Sequence, residues 1–266
     1  MQTALTIAGS DPSGGAGVQG DLKTFAAFGV YGVSAITAIT VQNTIGVEAV
    51  EPLSADLVEA QIEAIAGDVA IHATKIGMLA TAAIVEAVAA AIADLDLPLV
   101  VVDPVLVSSS GRRLLDEDGV RALSELLPRA RVVTPNIPEA EALSGVRISS
   151  PERLREAARR IRDMGPRAVI ITGGHATGAD VVDLLLDGND FHESRAPRVD
   201  ARDAHGTGCA FASAVAAGLA LGRTLAESAE HAQRYVAGAI AHAPRIGRGR
   251  GPIDHFWERP RRILEA

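Results

Sequence analysis

Residues 203–213 read Asp-Ala-His-Gly-Thr-Gly-Cys-Ala-Phe-Ala-Ser, with the chain's single cysteine, Cys209, just behind two glycines that flank Thr207. Gly206 and Gly208 let the backbone approach a ligand closely and adopt torsions that a Cβ would block. The Ala-rich run that follows predicts a helix, which puts Gly206, Thr207 and Gly208 at its N-terminus. There the unpaired N–H groups and the positive end of the dipole form a site for an anion such as phosphate. A thiol in the first turn is expected to have its pKa lowered and to become a better base or nucleophile. The plainer alternative is a glycine turn followed by a small buried cysteine.

The elements that must position this stretch follow from the apolar pattern. Apolar runs at residues 3–8, 33–41, 72–76, 99–102, 132–134 and 168–172 read as strands. Helical patterns lie between them, at residues 16–28, 54–67, from Thr81, near 120–127 and after Ser149-Ser-Pro-Glu152, and again from the glycine stretch to about residue 243. Residues 180–186 and a segment near Phe191 read as a hairpin. Strand and helix alternate, which predicts an α/β fold, a mainly parallel sheet covered by helices on both faces. No linker or repeat divides residues 1–266, so a single domain is expected, with a peripheral tail from about residue 257. In such sheets the ligand sits beyond the carboxyl ends of the strands. The polar clusters at residues 9–17, Gln42-Asn43, Asp103, residues 136–139 and residues 173–175 each follow a predicted strand, so several loops should build one site.

Composition narrows the function. The chain is 48% hydrophobic and 22% charged, which suits a sizeable core. Its net charge is −8 and its only lysines are Lys23 and Lys75, which argues against nucleic-acid binding. Arginines cluster after residue 110, and the run from Arg245 to Arg250 reads either as a solvated tail or as a phosphate contact. One cysteine leaves no internal disulfide and fits a reducing compartment, the cytoplasm. The N-terminus lacks the pattern of a signal peptide. No apolar stretch is long enough for a membrane span, since residues 84–97 are broken by Glu86, Asp94 and Asp96.

Two nucleotide motifs are informative by their imperfections. Gly15-Ala-Gly17-Val-Gln-Gly20 fits the dinucleotide spacing G-x-G-x-x-G, but it does not follow its strand at once. The next strand ends in Gln42-Asn43 where that reading needs an acidic residue, which speaks against a dehydrogenase. Neither lysine follows a glycine, so no Walker A loop is present.

Taken together, the chain resembles the ribokinase-like superfamily and, within it, the hydroxymethylpyrimidine and hydroxymethylpyrimidine-phosphate kinases of thiamin synthesis. The matching stretches are Ala4-Leu-Thr-Ile-Ala-Gly-Ser-Asp-Pro-Ser-Gly-Gly-Ala-Gly17, Gln19-Gly-Asp-Leu-Lys-Thr-Phe25, Val41-Gln-Asn-Thr44, Lys75-Ile-Gly-Met-Leu79, Val102-Asp-Pro-Val105, Thr134-Pro-Asn-Ile-Pro-Glu139, Gly173-Gly-His175, His205-Gly-Thr-Gly-Cys209 and Gly247-Arg-Gly-Arg-Gly-Pro-Ile-Asp-His-Phe256. They cover almost the whole chain, in order. The resemblance implies a three-layer αβα domain that moves a phosphoryl group from ATP to the hydroxymethyl group of an aminopyrimidine, with a second transfer to the monophosphate. It places Cys209 where most superfamily members carry a catalytic aspartate, as the base, with Gly206, Thr207 and Gly208 around the transferring phosphate.

The remaining roles are also implied by the resemblance. Asp103, Asn136 and Glu139 resemble a magnesium and phosphate network, although helix capping is the alternative for Asn136 and a first-turn dipole partner for Glu139. Gln42 offers the donor and the acceptor that a pyrimidine edge needs. Asp21 is a further acceptor for the substrate, unless it simply faces solvent. Gly9, Ala16 and Met78 would pack around the ring. Gly173 and Gly174 fall at the nucleotide, with Thr172 where relatives usually carry a lysine; Arg245 or another basic side chain is the candidate replacement. Relatives are often dimers, which makes a homodimer the expectation. A pyridoxal-type kinase and a non-catalytic pyrimidine-binding regulator are the alternatives.

Overall fold

The computed structural model describes residues 1–107, 111, 114–175, 179–199 and 204–258. In chain order the elements are β1 (Thr3–Ser10), α1 (Gly17–Ala27), β2 (Tyr31–Gln42), β3 (Val47–Pro52), α2 (Ala55–Ala66), β4 (Ala73–Ile76), α3 (Ala82–Asp94), β5 (Val100–Val102), α4 (Glu117–Leu126), β6 (Val132–Val133), α5 (Ile137–Ser144), α6 (Pro151–Arg162), β7 (Ala168–Ile171), β8 (Asp180–Asp187), β9 (Asp190–Pro197), β10 (Ala204–His205), α7 (Thr207–Ala220), α8 (Leu225–Ala241) and β11 (Gly251–Pro252). One nine-stranded sheet runs in the order β3-β2-β1-β4-β5-β6-β7-β8-β9. Strands β2 to β7 in that order are mutually parallel, while β3, β8 and β9 are antiparallel additions at the two edges. Strands β10 and β11 form a separate two-stranded pair.

Alternation along each strand feeds two cores. Leu5, Ile7, Val100, Val102, Val169 and Ile171 point to one face and pack with residues of α2, α3, α4 and α6. Ala4, Val101, Ala168 and Ile170 point to the other, under α1, α7 and α8. Side chains of a strand alternate between faces, so a strand buried on both reads as an unbroken apolar run. This is the expected three-layer arrangement. Helix α7 is the most enclosed element; from Ala210 to Ala220 every residue is buried. Its small side chains let it lie close over the sheet.

Helix starts follow local chemistry. Ser54, Thr81, Asp116, Ser150 and Thr224 each accept a backbone N–H of their own helix. Trp257 packs against Gly238 of α8 and donates its ring N–H to the Tyr235 carbonyl at 3.0 Å, so the chain is still anchored at the point where a peripheral tail was expected to begin. The remainder of that tail lies outside the described residues, as does Asp203. No helix of the described residues is long and apolar enough to cross a membrane.

Candidate active site

The first turn of α7 is open. Gly206 stands at its N-cap with φ +85°, and a Cβ there would overlap the Gly15 carbonyl. No side chain caps this helix, and the first N–H engaged within it is that of Ala210, bonded to the Gly206 carbonyl at 2.9 Å. The N–H groups of Thr207, Gly208 and Cys209 therefore face outward, with the helix dipole behind them. This is the open helix start that the glycine spacing predicts, with donors of the kind that suit an anion.

Cys209 sits where the first loop, β5 and α7 meet. The residue is half-buried, and its sulfur lies inward against the Gly17 N–H and the Asp103 carboxyl group. Burial pushes the thiol up to about 12; the Lys75 charge opposes this, and the nearby Asp103 and Asp21 reinforce it. The lowered thiol pKa expected from the helix terminus is thus corrected. Loss of solvent outweighs the dipole, and the resting sulfur carries its proton.

Asp21 also requires correction. Both of its oxygens accept from Lys75 Nζ, at 3.0 and 2.9 Å, and they accept further from Thr6 Oγ1 at 2.6 Å and Ser213 Oγ at 2.7 Å. Asp21, Lys75, Thr6 and Ser213 have no exposed surface, so Asp21 cannot meet a substrate. It is instead half of a buried ion pair that joins α1 to β1, β4 and α7. Burial would lower the Lys75 pKa, but the Asp21 charge raises it beyond its usual value, which makes Lys75 a fixed cation beneath Cys209 and Asp103. The sequence shows Lys75 as one of only two lysines, but gives no sign of its partner 54 positions away.

Asp103 and Glu139 form the acidic part of the site. Burial pushes Asp103 up to about 6, against the pull of Lys75. Burial and then the Asp103 charge push Glu139 up to about 8. Asp103 Oδ2 is buried with no hydrogen-bond partner. An orphaned carboxylate oxygen beside a second buried carboxyl group fits a hard cation of the Mg²⁺ type, which takes one or two carboxylates and fills its other positions with water and phosphate oxygens. No group of three or more metal-ligating side chains is found among the described residues, in keeping with that small protein share. Asn136 has the capping geometry that its plainer alternative expects, and it shares that capping box with Glu139. Its side chain caps α5 by accepting the Glu139 N–H at 3.0 Å, while Glu139 Oε2 accepts the Asn136 N–H at 3.0 Å.

Gln42, Gly9, Ala16 and Met78 converge around the loop after β1. The Gln42 amide lies 3.1 Å from His205 Nε2, which lies 3.0 Å from Asp11 Oδ2. Asp11 Oδ2 in turn accepts the Ala16 N–H at 2.9 Å. A Cβ at Gly9 would meet the Met78 methyl at 2.8 Å, so the two are in direct contact. Sequence reading gave neither Asp11 nor His205 a role. The available signal is Asp11 two residues before Ser13, whose N–H and Oγ both bond Asp11 Oδ1, a local turn in which the aspartate organises its own loop.

Thr172, Gly173 and Gly174 follow β7. The Thr172 N–H bonds the Pro135 carbonyl at 3.0 Å and ties this loop to the one that begins α5. The Gly173 N–H is taken by the buried Asp183 at 2.7 Å, so it is a fixed part of the loop and not a donor to ligand. Burial pushes Asp183 up to about 6 despite that bond and one from Gln233. Gly174 is exposed, and its carbonyl accepts from Arg198 Nη1 at 2.9 Å. Arg198 is therefore the basic side chain at this turn. Arg245 precedes a segment that folds over Thr44, where the Arg250 N–H bonds the Thr44 carbonyl at 2.8 Å. Thr44 follows β2 and Gly174 follows β7, five strand spacings away and so about 24 Å apart.

Known proteins resemble this chain along most of its length. The phosphomethylpyrimidine kinase family matches residues 11–254. A thiamine biosynthesis bifunctional protein of Geobacter sulfurreducens is 46% identical over 255 residues, which make up 96% of this chain and 52% of that protein; the chain spans about half its length. The hydroxymethylpyrimidine/phosphomethylpyrimidine kinase of Streptomyces coelicolor is 47% identical over 95% of this chain and 94% of its own. Among solved structures, an ADP complex of Bacillus subtilis pyridoxal kinase superposes with a TM-score of 0.89 at 37% identity, covering 97% of this chain and 99% of that one. The phosphomethylpyrimidine kinase of Clostridium difficile gives 0.80 at 40% identity, covering 90% of this chain and all of that one (100%). The chain thus has a ribokinase-like α/β fold and is a phosphotransferase that belongs to the phosphomethylpyrimidine kinase family.

Proposed function

We propose that the chain transfers the γ-phosphoryl group of ATP to the hydroxymethyl oxygen of 4-amino-5-hydroxymethyl-2-methylpyrimidine and then to the resulting monophosphate, with Cys209 at the reacting centre. The observation that carries this reading is the uncapped first turn of α7, which aims the N–H groups of Thr207, Gly208 and Cys209 at one point beside the Cys209 thiol and Asp103. Phosphoryl transfer asks mainly for positioning and charge stabilisation. The three N–H groups supply donors that are already oriented for the charged oxygens of the moving phosphoryl group.

In the first transfer the substrate oxygen bonds to the γ-phosphorus as the bridge to ADP breaks. The hydroxyl proton passes to the Cys209 sulfur, and the thiol proton passes to the Asp103 carboxylate against which it lies. This relay reconciles a base role with a thiol that rests protonated. The second transfer starts from a phosphate oxygen and needs no such relay. Asp103 and Glu139 are the residues that would hold Mg²⁺, which would neutralise charge on the phosphates. Arg198, which bonds the Gly174 carbonyl, would offset the absence of a lysine at Thr172.

Three wider assignments complete the reading. A homodimer fits the apolar surface on the exposed face of β2 and the turn after it, where Ile39, Val41 and Ile45 are exposed close together in the chain. The lone thiol and the use of ATP suit the cytoplasm. A second acceptor, pyridoxal, is favoured by the close superposition on a pyridoxal kinase.

Cys209→Ala tests the site. It should lower kcat about 100-fold and leave both KM values within a few-fold, because general base help is worth about 10²–10⁴-fold and a loose transition state calls on the low end. Cys209→Asp should recover part of the rate. A Cys209→Ala enzyme that turns over at the wild-type rate removes the base assignment.

A further inference from the structure

Hydrogen atoms around the Gln42 amide can be counted from their partners. One terminal atom of the amide lies 3.1 Å from His205 Nε2 and the other 3.3 Å from Thr40 Oγ1. The Thr40 hydroxyl has a single proton, and the Ser10 carbonyl, 2.8 Å away, can only accept it. Thr40 Oγ1 therefore turns a lone pair toward the amide, and the amide atom that suits it is nitrogen.

The other side gives the same answer independently. His205 Nε2 carries at most one proton in any state of the ring. Asp11 Oδ2, 3.0 Å away, attracts that proton, because the Asp11 carboxylate is kept ionised by the donors of Ser13 and Ala16. An amide N–H pointed at Nε2 would meet another N–H, whereas an amide oxygen shares the proton. Nitrogen and oxygen of an amide are told apart by such networks and not by shape. The placement with Nε2 toward His205 fails both counts. The amide must turn over, with Oε1 toward His205 and Nε2 toward Thr40.

We infer that His205, together with Thr40, locks the Gln42 amide in this single orientation and thereby makes the site select a 4-amino over a 4-oxo pyrimidine. The inference rests on the reading that Gln42 pairs with the pyrimidine edge. A locked amide offers the substrate one acceptor on the His205 side and one donor on the Thr40 side. A 4-aminopyrimidine answers with its amine donor and its ring-nitrogen acceptor. A 4-oxo ring presents the reverse order, oxygen against oxygen and N–H against N–H. It cannot turn over to escape, because its hydroxymethyl group must still face α7. His205 is thus a positioning residue. It sits immediately before Gly206, so the residue that orients the ring reader also adjoins the phosphate turn.

The test is a ratio: the inhibition constant of the 4-oxo counterpart divided by the KM of the 4-amino substrate, measured with saturating ATP. His205→Leu should lower this ratio at least tenfold, while His205→Gln, which restores an N–H donor, should keep it near the wild-type value. Thr40→Val, on the opposite side of the amide, should lower the ratio by itself, and this holds the inference open to test if His205→Leu does not fold. An unchanged ratio in folded His205→Leu and Thr40→Val, whatever happens to overall activity, overturns the inference. Gln42→Leu separates the two readings. If it abolishes the preference while His205→Leu and Thr40→Val keep it, the locking idea alone fails. If Gln42→Leu keeps the wild-type ratio, Gln42 does not read the ring and the inference falls with that reading.

Discussion

Asp11 shows how one side chain can organise a loop. Its carboxylate accepts from Ser13 N–H at 2.9 Å, Ser13 Oγ at 2.7 Å, Ala16 N–H at 2.9 Å and His205 Nε2 at 3.0 Å. Burial alone would raise its pKa, but bonds from His205, Ser13 and Ala16 outweigh that and hold it at about 2. A carboxyl group depressed in the folded state contributes stability that is present above its unfolded pKa, about 4, and lost as pH falls through about 2. The shift corresponds to roughly 2 kcal/mol. Asp11→Asn should therefore flatten the fall in unfolding free energy between pH 4 and pH 2 by about that amount, as read from urea denaturation across the range. An identical pH dependence in the variant would show that the network does not hold the carboxylate. At this scale the sequence was legible where residue type and turn coincide, as in the open helix start at Gly206-Thr-Gly-Cys209. It was silent where partners are far apart in the chain. Nothing near Asp21 announces Lys75, and nothing near Gln42 announces His205. The thiol pKa was misjudged for the same reason, because its burial comes from three separate segments.

Strands and helices were legible wherever their pattern was long. The six parallel strands and the β8–β9 hairpin stand close to their expected places. Strand β3 was missed because Val47-Glu-Ala-Val-Glu-Pro52 is half exposed and ends in proline, which suits an edge. Helix α5 stood only as an alternative, through Asn136 as a cap and Glu139 in a first turn, because two prolines near its start read as a loop; Pro138 falls in the first turn, where its lack of an N–H costs nothing. The two-residue pair β10 and β11 is too short for any period to show. The exposed face of β2 carries a prediction of its own. Residues 39 and 41 lie two apart on one face of the strand, and both Ile39 and Val41 are exposed there. Neighbouring exposed apolar side chains on one sheet face suit a contact between two copies of the chain. Light scattering should give the mass of two chains for the native protein and of one chain for Val41→Glu. A native protein with the mass of a single chain would remove the dimer.

Across the whole molecule, the parallel strands deliver their loops to one rim, and each loop brings a different chemical part. The loop after β1 and the end of β2 bring Asp11 and Gln42, the residue after β5 is Asp103, α5 supplies Glu139, and the turn after β7 lies at the far end with Arg198. The open end of α7 lies between these regions, and the buried Lys75–Asp21 pair ties α1 and α7 to the central strands beneath it. A rim about 24 Å long has room for a pyrimidine and ATP laid end to end. The central claim is that this rim joins the two in a phosphoryl transfer. The most direct test is to incubate the protein with Mg-ATP and 4-amino-5-hydroxymethyl-2-methylpyrimidine, with pyridoxal in a parallel reaction, and to weigh the products by mass spectrometry. The account predicts the pyrimidine monophosphate followed by the diphosphate, formed faster than any pyridoxal phosphate. An unchanged pyrimidine, or phosphate appearing on pyridoxal alone, would contradict it.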